Sequence, residues 1–527
     1  MFILTEHQTY GKSKVTTNGR KGQPVLRISD RNNSLRHRPR KSGSFGKWMN
    51  FAIRNAPSSN TLPACLLSSL PASSVLLRSD PIFGLKTVPY NLAIPVHPLA
   101  VVYANSSEDV AAAVKCASKF GKSVQAKSGG HGYANYAYGG GDNETVVVDL
   151  RNMKRFVWDA TGNWIAHVGA GNLLQDLNKQ MSTTNRAFAH GTCPQVGIGG
   201  HATMGGLGPA SRMWGTALDH IQSATVVLAN GTITQASATS NPDLLWAIKG
   251  SGASFGIVTQ FDIITHAPPS QTVQYSYTFS GLPFSQHAEQ FKDWQKLASN
   301  TALDRRFSSN AIFTPLGLVI SGTFFGNTAE WDALNMTSIF SGASAAHTLV
   351  LNNWLGTVGF WAENMGLEVA GWFPNSFYAA SLAFTPTTLL SDAAIDSFLA
   401  FLDTKSPLSL LWFAIFDVQG GATNDVPMDA TAYAHRDTLF YFQPYVSNGL
   451  LPLPDSAVQF VTGLMETMTD RTPGLQANGA YPGYIDPRLQ GAQQAYWKSN
   501  YAKLQQLKAT YDPKDTFHNP QSVRLPK

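Results

Sequence analysis

The stretch Ala189–Asp219, AHGTCPQVGIGGHATMGGLGPASRMWGTALD, holds eight glycines and one cysteine in thirty-one residues. Each glycine costs backbone entropy in regular structure, so this composition predicts a loop and not a helix or a strand. Glycines also let backbone N–H groups approach a ligand closely and point at its phosphates or ring edges. The stretch therefore predicts a loop that lies against a flat, polar ligand.

A second glycine-rich loop, Ser128–Gly141, lies upstream of the first. It carries His131, while the first loop carries Cys193. An isoalloxazine ring can be attacked by an imidazole nitrogen at its 8-methyl group and by a thiolate at C6, so the pair indicates a covalently held flavin. The alternative is a hydrogen-bonded loop histidine and a buried cysteine that acts as a small apolar side chain.

The charge of the chain is unevenly distributed. Its 527 residues carry a formal net charge of +6, yet the first 50 hold 11 Lys/Arg against 2 Asp/Glu and the rest hold 28 against 31. The basicity therefore belongs to an N-terminal segment, and we expect no nucleic-acid partner for the folded body. That segment has the composition of a disordered tail, with a nuclear-localisation or anion-binding patch as the alternative. No run reaches the ~18 apolar residues of a membrane helix, so no membrane partner is expected.

The cysteines leave open whether the protein is secreted. In an oxidising compartment Cys65 and Cys116 can pair and leave Cys193 free for chemistry, whereas three unrelated thiols are the alternative. No signal peptide is evident, because the apolar opening of the chain is too short. Sequons that permit secretion without requiring it stand at Asn32, Asn105, Asn143, Asn230 and Asn335.

Other ligand classes fit the motifs poorly. GGHATMGG, within the first loop, matches G-x-G-x-x-G only loosely and lacks the strand and the acidic residue of a nicotinamide site. A P-loop is absent from the sequence. His131, His167, His190 and His201 form no H-E-x-x-H or comparable close pair, so no metal site is predicted.

Hydrophobic periodicity predicts an α+β fold in which two regions of the chain differ in their pattern of strands, helices and glycine turns. Up to about residue 266, short strands alternate with helices and glycine turns, including a helix that begins at Ser106 or Ser107. In the middle we expect strands at Val273–Phe279, Gly317–Phe325, Leu408–Asp417 and Thr438–Tyr445, with helices at Ser285–Ser299 and Ser391–Asp403. Near the C-terminus one helical face is expected to carry Trp497, Tyr501, Leu504 and Leu507.

Four motifs together resemble a known family. They are SGGHGYANYAYGG (128–140), GTCPQVGIGGHATMGGLGPASRMWG (191–215), DLLWAIKGSGASFGIVT (243–259) and YDPKDTFHNPQSV (511–523). These motifs are similar to those of the berberine-bridge-enzyme-like flavoproteins in the vanillyl-alcohol-oxidase superfamily, with the fungal gluco- and chito-oligosaccharide oxidases as the nearest branch. The resemblance runs from about Cys65 to the C-terminus.

This resemblance implies a two-domain fold. Residues 61–266 and 480–527 would form the FAD-binding domain, and residues 267–479 would form a substrate domain whose antiparallel sheet covers the flavin. Residues 1–60 would remain a basic tail. The resemblance also implies a Cys65–Cys116 disulfide and a secreted protein, which we expect to be a monomer.

The cofactor implied by the resemblance is FAD with two covalent bonds, from His131 to the 8α carbon and from Cys193 to C6. Val196, three residues after the cysteine, is a small residue of the kind associated with oxygen access in the oxidases. Further residues expected at the cofactor are Ser128, Gly129, Gly130, Gly132, Gly199, Gly200, His201, Gly205, Gly206, Gly256, Ile257 and Val258.

Oxidation of an alcohol carbon needs a base for the hydroxyl proton. The segment YPGYIDP offers Tyr481 and Tyr484, and the resemblance places the base at Tyr484; a phenol serves only if its neighbours lower its high pKa. Asp417, at the end of an apolar strand, is the carboxylate candidate that would accept a hydrogen bond from the base or orient the substrate. The alternatives are a half-buried aromatic residue and a turn-forming aspartate.

The residues expected to contact the substrate match those of the oligosaccharide oxidases only in part. Tyr133 and Gln443 match positions that contact sugar in the oligosaccharide oxidases. Phe413 and Ile415 stand where the gluco-oligosaccharide enzymes are expected to have tryptophan and glutamine, and an isoleucine cannot hydrogen-bond a hydroxyl. This departure puts a sugar substrate in question.

Together these features predict an FAD-dependent oxidase that acts on a small molecule and reduces O₂ to H₂O₂. The first candidate reaction is oxidation of the anomeric C1–OH of an oligosaccharide to a lactone. One alternative is oxidation of a secondary-metabolite alcohol or amine, which the apolar Phe413 and Ile415 favour. The other is a flavin-loaded binding or defence protein without turnover.

Overall fold

The computed structural model describes residues 60–141, 143–364 and 373–527. The predicted basic tail, residues 1–60, lies outside the described residues except for Asn60. The described chain is α+β, as predicted, and its named strands belong to three sheets.

The first sheet is mainly parallel. Its strands are β1 (Val75–Leu77), β2 (Ala100–Tyr103), β3 (Ser123–Lys127) and β4 (Thr145–Asp149), in the order β1-β2-β4-β3. β4 pairs in parallel with β2 and β3, whereas β1 is antiparallel to β2. Valine is the most frequent residue in its strands and is buried at each of those positions, as expected for a parallel sheet covered on both faces.

Three helices accompany this sheet: α1 (Leu62–Ser69), α2 (Phe83–Lys86) and α3 (Ser107–Lys119). Ser106 caps α3 by accepting the Asp109 N–H at 3.2 Å, and acidic residues occupy the first turn, where the helix dipole favours them. The predicted helix start is confirmed. A disulfide between Cys65 and Cys116 joins α1 to α3.

The second sheet is antiparallel and lies within the first half of the chain. Its strands are β5 (Phe156–Trp158), β6 (Ile165–Gly169), β7 (Ile221–Val227), β8 (Ile233–Ser237) and β9 (Ile257–Ile264), in the order β5-β6-β9-β7-β8. The helices of this region are α4 (Leu174–Ser182), α5 (Ile198–Thr203), α6 (Ser211–Trp214) and α7 (Pro242–Ser251). The short helices α5 and α6 lie inside the glycine-rich stretch, so the expectation of an entirely irregular loop there is wrong. Its apolar positions, such as Ile198 and Ala202, are buried and stabilise one turn of helix despite the glycines.

The third sheet is antiparallel and contains the strands of the middle of the chain. They are β10 (Thr272–Ser280), β11 (Phe307–Thr314), β12 (Gly317–Phe324), β13 (Ala345–Leu351), β14 (Phe377–Ala379), β15 (Leu382–Phe384), β16 (Leu411–Val418) and β17 (Phe440–Ser447). Their order is β13-β10-β12-β11-β16-β17-β14, and β15 also pairs with β17.

Helices of the middle region are α8 (Ala288–Ala298), α9 (Thr328–Ala333), α10 (Met336–Ile339), α11 (Trp354–Asn364), α12 (Asp392–Thr404) and α13 (Asp455–Thr469). One face of the third sheet packs against α8, α12 and α13 in a core rich in aromatic residues, among them Phe291, Phe398 and Phe416. Because side chains alternate along a strand, every second residue of β16 points away from this core. The opposite face is therefore free to line a site.

The C-terminal segment returns to the first half of the chain. It contains α14 (Ala492–Trp497) and α15 (Tyr501–Tyr511). The Val124 N–H of β3 donates to Thr516 O at 2.8 Å, and Lys508 Nζ, fully buried, pairs with Asp512 at 2.7 Å. The first contact attaches the end of the chain to the first sheet, and the ion pair lies within the C-terminal segment itself.

Most predicted elements agree with the structure, with two differences. The strand expected from Leu408 begins at Leu411, because Leu408 has a left-handed φ of 51° that extended backbone cannot contain. The single helical face expected from Trp497 to Leu507 is wrong: Lys498, with φ of 46°, separates α14 from α15. The domain boundaries near residues 266 and 479 stay predictions.

Short 3-10 turns occur at Ala72–Ser74, Tyr136–Tyr138, Ala217–His220, Gly252–Ser254, Phe284–His287, Gly421–Thr423, Leu475–Asn478 and Lys498–Asn500. Among the described residues, the helices are all too short or too polar to span a bilayer.

Candidate active site

The two glycine-rich loops meet backbone to backbone. A Cβ added at Gly129 would lie 2.4 Å from the Gly197 nitrogen, and one added at Gly197 would lie 2.1 Å from the Gly129 nitrogen. No side chain fits at either position, so this approach requires glycine on both loops. The loop that carries His131 therefore lies directly against the loop that carries Cys193.

Next to this contact, Ser128 ties the loops to the second sheet. Its hydroxyl donates to Ala170 O at 2.6 Å and accepts the Gly199 N–H at 3.3 Å. A Cβ added at Gly132 or Gly200 would meet no atom within 4 Å. The backbone of the two loops is therefore uncovered at Gly132 and Gly200, where a ligand can approach it closely.

His131 and Cys193 lie near the same phenol. The imidazole of His131 stacks on the ring of Tyr90, with centroids 4.0 Å apart and an interplanar angle of 30°. Burial, and then the proximity of Tyr133 and Cys193, raises the pKa of Tyr90. The structure therefore brings the two predicted attachment residues to one place.

Cys193 is a protonated thiol at neutral pH. Burial raises the pKa of Cys193 to about 11, although backbone N–H groups of Gln195 and Val196 oppose the rise. The thiol donates to Gln195 Oε1 at 3.4 Å. Because a thiolate is the nucleophilic form, bond formation at this sulfur has to remove the proton.

The predicted catalytic and substrate residues also come together. Gln443 Nε2 donates to Tyr133 Oη at 3.1 Å, and the ring of Tyr133 is stacked over that of Tyr484 at 5.9 Å with an interplanar angle of 7°. The Tyr484 hydroxyl hydrogen-bonds Asp417. The four residues come from a loop, from β16 and β17, and from the C-terminal segment, so only the fold unites them.

The electrostatics of the Tyr484–Asp417 pair differ from the expectation. Burial raises the pKa of Asp417 to about 7, and the hydrogen bond from Tyr484 opposes part of that rise. Burial, followed by the nearby Asp417, raises the pKa of Tyr484. The surroundings of Tyr484 therefore do not lower the phenol's pKa, because burial and the adjacent carboxylate both disfavour the phenolate.

The hydroxyl of Tyr481, the other tyrosine of YPGYIDP, is engaged by main-chain N–H groups. Its hydroxyl accepts the N–H groups of Gly206 at 2.8 Å and Leu207 at 3.3 Å. Gly205 packs against the same ring. Tyr481 thus supports the loop, and the hydroxyl of Tyr484 is the one that meets a carboxylate.

The substrate-side floor of the site is part of the third sheet. Phe413, Ile415 and Asp417 alternate with the core residues of β16 and so face the site. Ile415 lies opposite Gln443 on β17 and opposite Ile312 on β11, and Ile312 in turn lies opposite Val319 on β12. Sequence reasoning missed Ile312 and Val319, since their alternation is visible but their partners are known only once the strands are paired.

The other residues expected at the cofactor occupy varied positions. His201 Nε2 accepts the Gly191 N–H at 2.9 Å, and burial lowers the pKa of His201 to about 3, so the ring is neutral. Gly130 lies in the His131 loop and has a left-handed φ of 77°. Val196 is half-buried. Gly256, Ile257 and Val258, at the start of β9, are buried in the core. Contacts of these residues with a cofactor stay predictions.

In the part of the chain that the structure describes, no group of three or more His, Cys, Asp or Glu side chains could hold a metal ion.

The residues present fit a flavin. A flat polar ring needs bare backbone on one side, and the open backbone at Gly132 and Gly200 supplies it. Covalent attachment needs nucleophiles on separate segments, and His131 and Cys193 supply them. Alcohol oxidation needs a proton acceptor, and Tyr484 with Asp417 stays the predicted one.

Comparisons with known proteins give the family. Residues 98–237 match the FAD binding domain family, and residues 480–524 match the family described as berberine and berberine like. FAD-linked oxidoreductase sorD of Penicillium rubens is 37% identical over 467 residues, which cover 87% of this chain and 97% of that protein. Glucooligosaccharide oxidase of Sarocladium strictum is 36% identical over 454 residues, or 82% of this chain and 89% of that protein.

A solved structure has the same fold. It is the glucooligosaccharide oxidase from Acremonium strictum, described with a 6-S-cysteinyl, 8α-N1-histidyl FAD. The TM-score is 0.78 at 32% identity, and the match covers 88% of this chain and 99% of that one. The predicted resemblance, the fold class and FAD as cofactor are confirmed. The chain belongs to the berberine-bridge-enzyme-like family of FAD-linked oxidoreductases.

Proposed function

We propose that this protein is an oxidase with FAD bonded to both His131 and Cys193, which oxidises an alcohol carbon and reduces O₂ to H₂O₂. When bound, FAD accepts a hydride from the carbon and passes the two electrons to oxygen. The observation that carries the proposal is the hydrogen-bonded Tyr484–Asp417 pair beside the two loops. The described cysteinyl and histidyl bonds of the glucooligosaccharide oxidase support the attachment sites.

Tyr484 and Asp417 act as one base. A phenol with a raised pKa is a poor base by itself, but its oxygen can accept the alcohol proton while its own proton moves to Asp417. A carboxylate with a pKa of about 7 holds that proton reversibly near neutral pH. Loss of the alcohol proton leaves electron density on the oxygen that promotes departure of the hydride from carbon.

The first candidate substrate is an oligosaccharide with a free anomeric C1–OH, which would become a lactone. The Tyr133–Gln443 hydrogen bond places two polar groups beside the base, where they can bind sugar hydroxyls. The printed names of several relatives support a sugar, among them the gluco- and chitooligosaccharide oxidases. Each turnover removes two hydrogens from the sugar and forms one H₂O₂ from O₂.

The second candidate is an alcohol or amine with an apolar body, as in a secondary metabolite. The row of paired positions that continues from Gln443 across three neighbouring strands is aliphatic: Ile415, Ile312 and Val319. We call these three residues the aliphatic row. Ile415 is 8% exposed, while Ile312 and Val319 are half-buried. β-Branched side chains in this row can pack against an alkyl or aryl group but cannot hydrogen-bond a second sugar unit.

A substrate panel separates the two candidates. Anaerobic bleaching of the flavin would be measured with cello- and chito-oligosaccharides and with benzylic and long-chain alcohols. In parallel, Ile415→Gln restores a hydrogen-bonding side chain and Ile415→Leu serves as the matched apolar control. If the substrate is an oligosaccharide, Ile415→Gln should raise kcat/KM for it about five- to tenfold, the value of one or two net hydrogen bonds. If the substrate is apolar, the same change should lower kcat/KM by a similar factor, and Ile415→Leu should change it less than about threefold.

The attachment sites have their own test. His131→Ala and Cys193→Ala should each leave one covalent bond, and the double variant should release all its flavin on acid precipitation. A yellow precipitate from the double variant would contradict both assignments. If no substrate bleaches the wild-type flavin and no peroxide forms, the protein is a flavin-loaded binding protein and the proposed oxidase activity is refuted.

The remaining expectations form part of the same proposal. Residues 61–266 and 480–527 would hold the FAD, supported by the contact of β3 with Thr516, and residues 267–479 would hold the substrate. Val196, half-buried three residues after Cys193, would govern oxygen access. The Cys65–Cys116 disulfide supports secretion, because disulfides persist in oxidising compartments.

A further inference from the structure

A short segment that begins at Tyr90 connects the His131 loop to the edge of the third sheet. The Asn375 N–H donates to Tyr90 O at 3.0 Å, and the Leu92 N–H donates to Asn375 O at 2.9 Å. Asn91 Nδ2 donates to Tyr133 O at 2.8 Å and to Phe377 O at 3.1 Å. The backbone at Tyr90 is therefore held from two sides.

The ring of Tyr90 is fixed as firmly as its backbone. One face stacks on His131 at 4.0 Å, and Phe377 contacts the ring edge-on at 5.5 Å. The Tyr90 hydroxyl hydrogen-bonds the Asn375 side chain, which also accepts from Ser447 Oγ at 3.0 Å. Three contacts, with His131, Phe377 and Asn375, thus set the plane of a buried phenol that has no part in the proposed proton transfer.

We propose that Tyr90 is a positioning residue that sets the plane of the His131 imidazole for bond formation with the flavin 8α carbon. The inference rests on the proposed covalent attachment at His131. It assigns a role to a residue that lies in none of the four motifs.

The physical reason is the direction of the imidazole lone pair. The lone pair of the attacking nitrogen lies in the plane of the ring, so rotation of the ring turns it away from any partner. A phenol stacked on one face opposes that rotation, and it contacts the face of the ring and not the edge that carries the lone pair. Offset stacking of two aromatic rings is favourable by itself and needs no charge on either ring.

The attachment balances with O₂ as oxidant. The new C–N bond replaces a C–H bond of the 8-methyl group and the N–H bond of the imidazole, and O₂ takes up the two hydrogens as H₂O₂. Tyr90 gains and loses nothing in this reaction. Its effect is therefore on the rate and extent of bond formation alone.

Cys193 supplies an internal comparison. Its thiol lies close enough to Tyr90 to influence the phenol's pKa, but the residue that stacks on Tyr90 is His131. Loss of the Tyr90 ring should therefore impair the bond at His131 and spare the bond at Cys193.

The experiment uses the full chain in two backgrounds. In Cys193→Ala, which can form only the histidyl bond, Tyr90 is changed to Phe, Leu or Met. In His131→Ala, which can form only the cysteinyl bond, Tyr90→Leu is compared with the unchanged residue. After incubation with FAD and O₂, acid-stable flavin per chain is followed over time and the modified peptide is weighed. Tyr277→Leu removes a buried tyrosine of β10 that packs on Tyr275 and Phe340 in the core of the third sheet, and it is the matched control.

Tyr90→Leu and Tyr90→Met should slow the histidyl bond about three- to tenfold, the range that one aromatic contact supports. Tyr90→Phe and Tyr277→Leu should stay within about twofold, and Tyr90→Leu should leave the cysteinyl bond unchanged within about twofold in His131→Ala. Met is unbranched and flexible and so adapts to the space left by the ring better than Leu, which tests the inference even if the Leu variant fails to fold. Unchanged histidyl attachment in the Met variant would overturn the role of Tyr90. Absence of acid-stable flavin from the Cys193→Ala parent would instead overturn the proposed attachment.

Discussion

The rate of flavin reduction should depend on pH through Asp417. Burial raises the pKa of this carboxyl group to about 7, and only its ionised form can accept the proton of Tyr484. With that pKa, about 1% of the carboxyl groups are ionised at pH 5 and about 99% at pH 9. The rate should therefore rise with pH, about tenfold per unit below pH 7 and about a hundredfold in total, to a plateau above pH 8.

The assay is anaerobic stopped-flow bleaching of the flavin at saturating substrate from pH 5 to pH 9. Asp417→Asn should remove the inflection near pH 7 and lower the plateau, because an amide cannot accept the proton. Tyr484→Phe should lower the plateau by a factor of about 10² to 10⁴, the usual contribution of a general base. Asp425→Asn, which changes an exposed carboxylate paired with Arg305, is the control and should keep the full profile. A flat profile in the wild type, or an inflection that survives in Asp417→Asn, would refute the role of Asp417.

Three further predictions concern the scaffold. Gly197→Ala should abolish FAD binding, because its Cβ would lie 2.1 Å from the opposite loop's backbone, whereas Gly84→Ala, whose Cβ would meet no atom within 4 Å, should bind normally in a flavin fluorescence titration. Arg212→Met should cost at least about 3 kcal/mol in urea unfolding, since the buried guanidinium donates to several main-chain carbonyl groups that would lose their partner. Arg305→Met, at an exposed arginine, should lower the free energy of unfolding by less than about 1 kcal/mol in the same assay. An equal decrease in both variants would contradict the stabilising role of the buried Arg212 hydrogen bonds. Cys65→Ser should lower stability by about 4 kcal/mol, because its disulfide spans a sequence separation of 51 residues, and a midpoint unchanged in thermal unfolding would count against this.

The elements that local chemistry controls were predictable. Ser106 and the acidic residues after it identify the start of α3, because a helix cap and the helix dipole act within one turn. The strands around Val273 and Gly317 follow from alternation alone. Where the prediction was wrong, at Leu408 and Lys498, a left-handed φ breaks the pattern, and neither residue type signals that conformation.

The features of the candidate site likewise fall into those that local sequence motifs predict and those that only the folded chain shows. The two loops with their imidazole and thiol, the Y-x-x-Y tyrosines and the FAD family could be identified from consecutive residues, because each motif is defined by its own spacing. The pairing of Tyr484 with Asp417, the pKa values of both groups, the stack of Tyr90 on His131 and the aliphatic row are properties of the folded chain. They depend on burial and on strand register between residues far apart in sequence, which no local pattern encodes. Motifs of consecutive residues thus identify the cofactor and the groups that can react, whereas burial and strand pairing in the folded chain set how those groups are oriented, protonated and surrounded.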